Sequence, residues 1–343
     1  MKATIHAQYG SPRVLRIEEV AKPTLADDQI LIEVHASIVT QGDRRLRAAD
    51  YPGATAIIGR LMFGLLRPRN PTPGTNFAGK VVEIGKAVTR FQIGDEVFGG
   101  CMNSAQAEYL AVAVDSPIAK IPSGVDFDDA AAVPYGGATA LAFMRDVAAV
   151  KPGDRVLIIG ASGGVGRFAV QIARHLGGKV TGVCSAAKAK MVRELGAHRT
   201  IDYAREVYTQ DGETYDVIFD TISGDGFREA KPSLSPRGRY VTLHMTMRVM
   251  FQMLTSAIFG GPRAAASVVL GDQQLTEDVA ALLAEGAIWP VIAARFPLAQ
   301  VVDAHHALES PNTMGTVVVS VVQDASDAAD GAGRSFVEGL AGR

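Results

Sequence analysis

Residues Leu157–Ala173 read LIIGASGGVGRFAVQIA. A β-branched apolar run meets a cluster of glycines, and a second apolar run then begins at helical spacing. Strand, turn and helix in that order are the context in which Ala161-x-Gly163-x-x-Gly166 reads as a dinucleotide-binding turn. Gly163 lets the backbone approach a pyrophosphate, Gly166 lets the helix pack close on the sheet, and Gly160 and Gly164 add room. Ser162 and Val165 complete the contacting loop. The start of the helix brings N–H donors and positive partial charge to the same place. A glycine string alone also fits a tight turn in an ordinary α/β domain. Four further βα-type segments behind this one favour the nucleotide.

The end of the following strand indicates which nucleotide. An NAD site usually places Asp or Glu about 20 residues after the glycines, to bind the ribose hydroxyls. Here VTGVCSAAKAKMVRE carries no acid between Gly166 and Glu194. Ser185, Lys188, Lys190 and Arg193 stand there instead. A hydroxyl and an ammonium hold a 2′-phosphate that a carboxylate would repel, so the expected cofactor is NADPH. Lys190, and on the bland reading Lys188 too, belongs to the solvated face of the next helix.

Outward from this unit, the chain alternates. RVLIIG, KVTGVCS, RTIDY, YDVIFDT and RYVTLH are strand-like, and FAVQIARHLG and AKAKMVRELG are helical patterns that each end in glycine. This alternation predicts a parallel, doubly wound sheet. Before it, ATIHAQYG, VLRIEEVA, QILIEVHASIV, GKVVEIG, FQIGDEVFGG and AEYLAVAV predict a small, mostly antiparallel β-barrel. The Ala-rich DFDDAAAVPYGGATALAFMRDVAAV joins the two, with Asp126 as its N-cap. VIAARFPL, AQVVDAHHALE and TVVVSVV return to the barrel. The expected domains are 1–123 with 289–323, then 124–288, and a loosely held tail at 324–343 in which Phe336 and Val337 could dock.

With 343 residues, 48% hydrophobic, 20% charged and a formal net charge of −2, the chain shows no basic excess for nucleic acid and no polybasic block for a membrane. Cys101 and Cys184 are the two cysteines, too few for a disulfide framework or a cysteine-rich zinc site. The start MKATIHAQYG does not read as a signal peptide. No apolar stretch approaches the ~20 residues that span a bilayer. The expectation is a cytoplasmic protein.

PGTNFAGKVVEIGKAVTRFQIGDEVFG, DAAAVPYGGATA, VKPGDRVLIIGASGGVGRFAVQIARHLG and VTGVCSAAKAKMVRELGAHRTIDY together resemble the medium-chain dehydrogenase/reductase superfamily. The resemblance runs from about residue 2 to 322. It implies an α/β fold with a GroES-like β-barrel catalytic domain and a Rossmann NADPH-binding domain. The superfamily divides on zinc. In its alcohol dehydrogenases a Cys follows the strand that here ends in Val39-Thr40, and a His-Glu pair occupies the place of Thr75-Asn76. Only Cys101 lies where a four-cysteine lobe would follow, and His35, His244, His305 and His306 are scattered. No metal is expected.

The zinc-independent branch resembles quinone oxidoreductases. It implies hydride transfer from NADPH to a quinone or an α,β-unsaturated carbonyl, on a small apolar substrate, in a homodimer. By the same resemblance, Thr40 and Tyr51 are the candidate catalytic donors, with Tyr51 alternatively an aromatic plug. Thr139 falls near the nicotinamide, Lys188 and Tyr203 grip the 2′-phosphate beside Ser185, and Leu243, at the end of RYVTLH, counts among the cofactor contacts. Many relatives have Gly-Lys or Gly-Asn where this chain has Gly315-Thr316. The apolar segments 54–69 and 243–261, the latter Met-rich, are candidates for shaping the substrate site or for core or dimer packing, and AASVVL (265–270) is the candidate dimer edge. Two alternatives stay open: an enoyl-thioester or natural-product double-bond reductase of a dedicated pathway, and an NADPH-binding scaffold without turnover.

Overall fold

The computed structural model describes residues 1–51, 55–223, 226–269 and 271–322. Strands β1 (Lys2–Ile5) and β2 (Arg16–Glu19) form an antiparallel pair of their own, touching the rest through an Ala3–Ala107 bridge. The sequence expectation had these two in the barrel. The main sheet of the first domain is built on β3 (Gln29–Val39), whose inward residues Ile30, Ile32 and Val34 are fully buried. Helices α1 (Gln41–Ala48) and α2 (Thr55–Phe63) follow, then β4 (Asn76–Ile84), β5 (Glu96–Gly100), β6 (Tyr109–Ala113) and β7 (Ile118–Lys120).

The Ala-rich connection starts with α3 (Phe127–Ala132), capped as expected by Asp126, whose carboxylate accepts from the Asp129 N–H at 2.8 Å. It continues as a helical run in which α4 (Thr139–Leu141) lies between two π turns, Pro134–Ala138 and Ala142–Val147. Because α3 packs on β3 and β4 whereas the first π turn touches both β5 and the next domain, the chain crosses between domains near Val133. That is later than the change of sequence texture at 123/124. Ala130, Ala131 and Ala132 are buried, and these small side chains let one continuous core run from Ile38 and Phe98 through Phe143 to Ile158.

The second domain comprises β8 (Arg155–Ile159), α5 (Gly166–His175), β9 (Lys179–Cys184), α6 (Ala189–Glu194), β10 (Arg199–Asp202), β11 (Tyr215–Asp220), α7 (Phe227–Ala230), β12 (Leu234–Thr242), α8 (Met247–Phe259), β13 (Arg263–Ala266) and α9 (Gln273–Ala284). Its six strands run parallel in the order β10-β9-β8-β11-β12-β13, the doubly wound arrangement that alternating β and α segments predict. The glycines after both predicted helices, Gly177 and Gly196, take φ of 85° and 112°. The edge strand is Arg263–Ala266, a shift from the expected 265–270, and Leu270 lies outside the described residues.

The chain then returns: β14 (Ile292–Pro297) pairs with β15 (Thr316–Ser320), β15 pairs antiparallel with β3, and α10 (Val301–Glu309) lies between them in sequence. Gln171 of α5 fastens the return by exchanging hydrogen bonds with both backbone groups of Trp289. The tail at 324–343, with Phe336 and Val337, lies outside the described residues. Among the described residues no helix is long and apolar enough to cross a membrane.

Candidate active site

The glycine turn leaves the carboxyl end of β8 where the sheet order reverses, between β8 and β11, which is where open α/β sheets bind ligands. Gly160 has φ +79°, and its N–H and that of Ala161 both donate to Val183 O, at 3.1 and 3.0 Å. A Cβ on Gly166 would stand 2.1 Å from Gly160 O, so the helix rests directly on the turn. Nothing lies within 4 Å of where a Cβ on Gly164 would be, so that residue presents bare backbone outward. Ser162 and Gly163 are half-buried; Ala161 and Val165 are buried. An open cradle at the positive end of a buried ten-residue helix fits a dinucleotide's phosphates.

The predicted 2′-phosphate residues gather at the ends of β9 and β10. Ser185 follows β9, and Tyr203 follows β10 with its N–H 3.4 Å from Cys184 O and its side chain 65% exposed. Lys188 donates to Thr313 O at 3.1 Å, which holds the ammonium of this half-buried side chain against the returning segment and leaves two protons for a ligand. Lys190 is exposed and pairs with Glu194, as a solvated helix face would. Leu243 is partly buried against the main core at the end of β12, its N–H 3.4 Å from Asp220 O.

A cavity of about 750 Å³ opens between the domains. Gly42, Thr75, Asn76, Cys101, Met102 and Asn103 line it from the first domain, and Pro134, Tyr135, Ala138 and Thr139 from the connection. The π turn stands between cavity and glycine turn. Tyr135 and Thr139 face the cavity, whereas a Cβ on Gly136 would stand 2.4 Å from Gly164 O. Thr139 donates its hydroxyl to Tyr135 O at 2.7 Å.

The two candidate catalytic residues are placed differently from expectation. Thr40 is the N-cap of α1: its hydroxyl donates to Asp43 Oδ2 at 2.6 Å and accepts from the Asp43 N–H at 3.0 Å. Its single proton is thus committed to Asp43, a carboxylate 1% exposed, and not to a substrate. Burial pushes the Asp43 carboxyl above its ordinary range, with the Thr40 and Thr75 hydrogen bonds opposing. Burial, with the charge of Asp43 added, pushes the Cys101 thiol up to about 12. Tyr51 is not among the cavity-lining residues. Its ring stacks on Phe63 at 6.0 Å, and its buried hydroxyl has no hydrogen-bond partner among the described residues. Burial raises its pKa. This is the plug-like placement.

Among the described residues, neither apolar segment lines the cavity. Leu61, Met62, Leu65 and Leu66 are exposed around the end of α2, and Met247, Met250, Phe251, Leu254 and Ile258 form an exposed stripe on α8. What sequence reasoning missed is Tyr135, 41% exposed in the cavity with its ring against Gly42. Burial and the Asp43 charge raise its pKa, while Arg45 lowers it. The available signal was a tyrosine wedged between Pro134 and two glycines, where packing alone requires no hydroxyl.

Residues 26–142 match the family model for the alcohol dehydrogenase GroES-like domain, and residues 195–319 match that for zinc-binding dehydrogenase. The chain is 31% identical to human quinone oxidoreductase over 321 residues, covering 89% of this chain and 93% of the relative. It is 30% identical over 337 residues to the chloroplastic NADPH-dependent alkenal/one oxidoreductase of Arabidopsis thaliana, covering 93% and 79%. The solved quinone oxidoreductase from Coxiella burnetii superposes with a TM-score of 0.81 at 28% identity, covering 94% of this chain and 99% of that one. These agree on a GroES-like domain joined to a Rossmann domain. The chain belongs to the medium-chain dehydrogenase/reductase superfamily, and within it to the quinone oxidoreductase-like group.

Proposed function

We propose that this protein is an NADPH-dependent, zinc-independent oxidoreductase that reduces a quinone or an α,β-unsaturated carbonyl. The observation that carries this reading is the pairing of an open glycine cradle, with Ser185 rather than an acid directly after β9, with a cavity on the other side of the 134–138 turn. The names of the human and Arabidopsis relatives support it. Ala161 to Gly166 would hold the diphosphate, Ser185, Lys188 and Tyr203 the 2′-phosphate, and Thr139 and Leu243 the nicotinamide end.

When bound, NADPH supplies the hydride. The chain's own residues orient the acceptor, exclude water and supply hydrogen-bond donors to the oxygen on which negative charge develops. Asn76 and Tyr135 are two of the cavity residues that carry donors. Tyr135, a phenol whose pKa lies above its ordinary value, stays protonated at neutral pH and can donate. Thr40 serves by fixing the start of α1 beside Gly42. Tyr51 packs its ring against Gly59 and Phe63 of α2 and has no place in the cavity wall.

Zinc independence rests on the donor set. Val39, Thr40, Thr75 and Asn76 present no thiolate or imidazole, the Cys101 thiol is held protonated, and among the described residues no three His, Cys, Asp or Glu side chains converge. Two free cysteines suit a cytoplasmic location. The edge strand β13, with the apolar stripe of α8 packed beside it, is the surface on which we place a homodimer contact.

The test is NADPH oxidation against a panel of ortho- and para-quinones, enones and one enoyl thioester, with NADH as control and metal content measured on the same sample. Turnover with NADPH, reduced toward the NADH level by Lys188→Ala, is the expected result. The best acceptor ranks quinone against alkene. Tight NADPH binding without turnover on any acceptor would favour a scaffold, and stoichiometric zinc would overturn the zinc-independent reading.

A further inference from the structure

Two arginines are buried among the described residues, Arg47 at 2% exposure and Arg167 at 4%. Arg47 is fully compensated: it pairs with Glu309, contacts His305 Nδ1 at 2.8 Å and donates to Gly10 O at 3.1 Å. Arg167 is not. Its Nη2 donates to the neutral Thr316 Oγ1 at 3.0 Å, its Nε has no partner, and no carboxylate pairs with it among the described residues.

A guanidinium cannot shed its proton in a protein, so burial without a counter-charge is a standing cost. That burial alone pulls the pKa of Arg167 down to about 10. The residue also lies in the first turn of α5, where the helix dipole disfavours a cation. Two unfavourable contributions meet here, and no acid in the described structure offsets them. The place is specific. Arg167 follows Gly166, and its own N–H donates to Gly163 O at 3.0 Å, so its backbone is part of the glycine turn. Its guanidinium reaches the first residue of β15, on the segment that also receives Lys188 through Thr313.

We infer that Arg167 is a ligand of the cofactor's diphosphate, and that this anion is the counter-charge its buried guanidinium lacks. The inference rests on the dinucleotide reading above and adds to it a charged residue outside the glycine fingerprint. A diphosphate is common to NADPH and NADH, so Arg167 contributes equally to both, whereas Lys188 discriminates between them.

The experiment is equilibrium titration of NADPH and of NADH into the wild type and into Arg167→Met, Arg167→Lys and Arg167→Met/Thr316→Lys, with thermal melts of each ligand-free protein. Loss of a charged hydrogen bond predicts that Arg167→Met weakens both dinucleotides by the same factor, about 10- to 100-fold. Arg167→Lys loses less, and Thr316→Lys, which places an ammonium beside the same spot, restores part of the affinity. Ligand-free Arg167→Met melts no lower than the wild type, because a buried unpaired charge has been removed. Unchanged affinity in Arg167→Met would overturn the inference. So would a loss confined to NADPH, which assigns Arg167 to the 2′-phosphate, or a ligand-free melting point well below wild type, which makes it a structural strut. A wild type that binds neither dinucleotide would strike the underlying reading instead, and the inference with it.

Discussion

The glycine turn and the interdomain cavity are neighbours, yet they are made in opposite ways. The turn is one continuous stretch of chain, and its shape follows from local backbone demands: a positive φ at Gly160, and at Gly166 a separation from Gly160 O too small for any side chain. The cavity is assembled from α1, β4, the loop after β5, β6, the π turn and the start of α9, and its character depends on which side chains those segments bring together. A single added atom disrupts the first kind of site, whereas the second absorbs changes and alters its chemistry.

The sharpest way to break this comparison is Gly166→Ala. The added methyl would sit 2.1 Å from backbone that cannot move without shifting β8 or α5. The expected result is loss of about 3 kcal/mol or more of stability, with NADPH affinity falling beyond measurement. Near-native binding by isothermal titration would mean that the turn is as adaptable as the cavity.

Next in size is Thr40→Val. It removes the cap on α1 and strips the buried Asp43 carboxylate of a donor, at a cost of about 1–3 kcal/mol in denaturant unfolding. Turnover per folded molecule should stay within a factor of about three, because the hydroxyl proton is already committed to Asp43. A stable variant with a large fall in kcat would restore Thr40 as a substrate donor.

The smallest expected effect sharpens the comparison. Tyr135→Phe should lower kcat about tenfold on the best acceptor with little change in NADPH affinity or melting temperature. Tyr51→Phe, whose hydroxyl has no partner to lose among the described residues, should change kcat less. The reverse ranking would move the proton donor from the cavity wall to the segment under α2.

What was legible in the sequence follows the same division. The turn, the parallel sheet, the Asp126 cap, the C-terminal glycines of α5 and α6 and the return of β14 and β15 all rest on local patterns or on connectivity. Those patterns carry over intact into three dimensions. The commitment of Thr40 to Asp43 was half visible, since a Thr followed three residues later by an acid is a capping signal. Resemblance drew attention to its role toward substrate instead. Tyr135 was passed over because the Ala-rich run around it reads as a capped connection between domains, and only the fold shows the π turn directing its ring to the cavity. Arg167 was hidden because its anomaly is a missing partner. Only the packing of α5 against the return shows that no acid arrives from the described residues. Of the two readings open for the apolar segments 54–69 and 243–261, the described residues favour packing against another surface: Leu61, Met62, Leu65 and Leu66, and the α8 stripe, face outward.

The contact between Gly136 and Gly164 also limits how this protein could be redesigned. With 2.4 Å between a would-be Cβ and a carbonyl oxygen, the two glycines form a seam at which the acceptor side and the phosphate side have no slack between them. A library aimed at new acceptors should therefore leave Gly136 untouched and vary Met102 and Asn103, which border the cavity from the first domain. Variants selected at Gly136 would report damage to coenzyme retention rather than a change of preference.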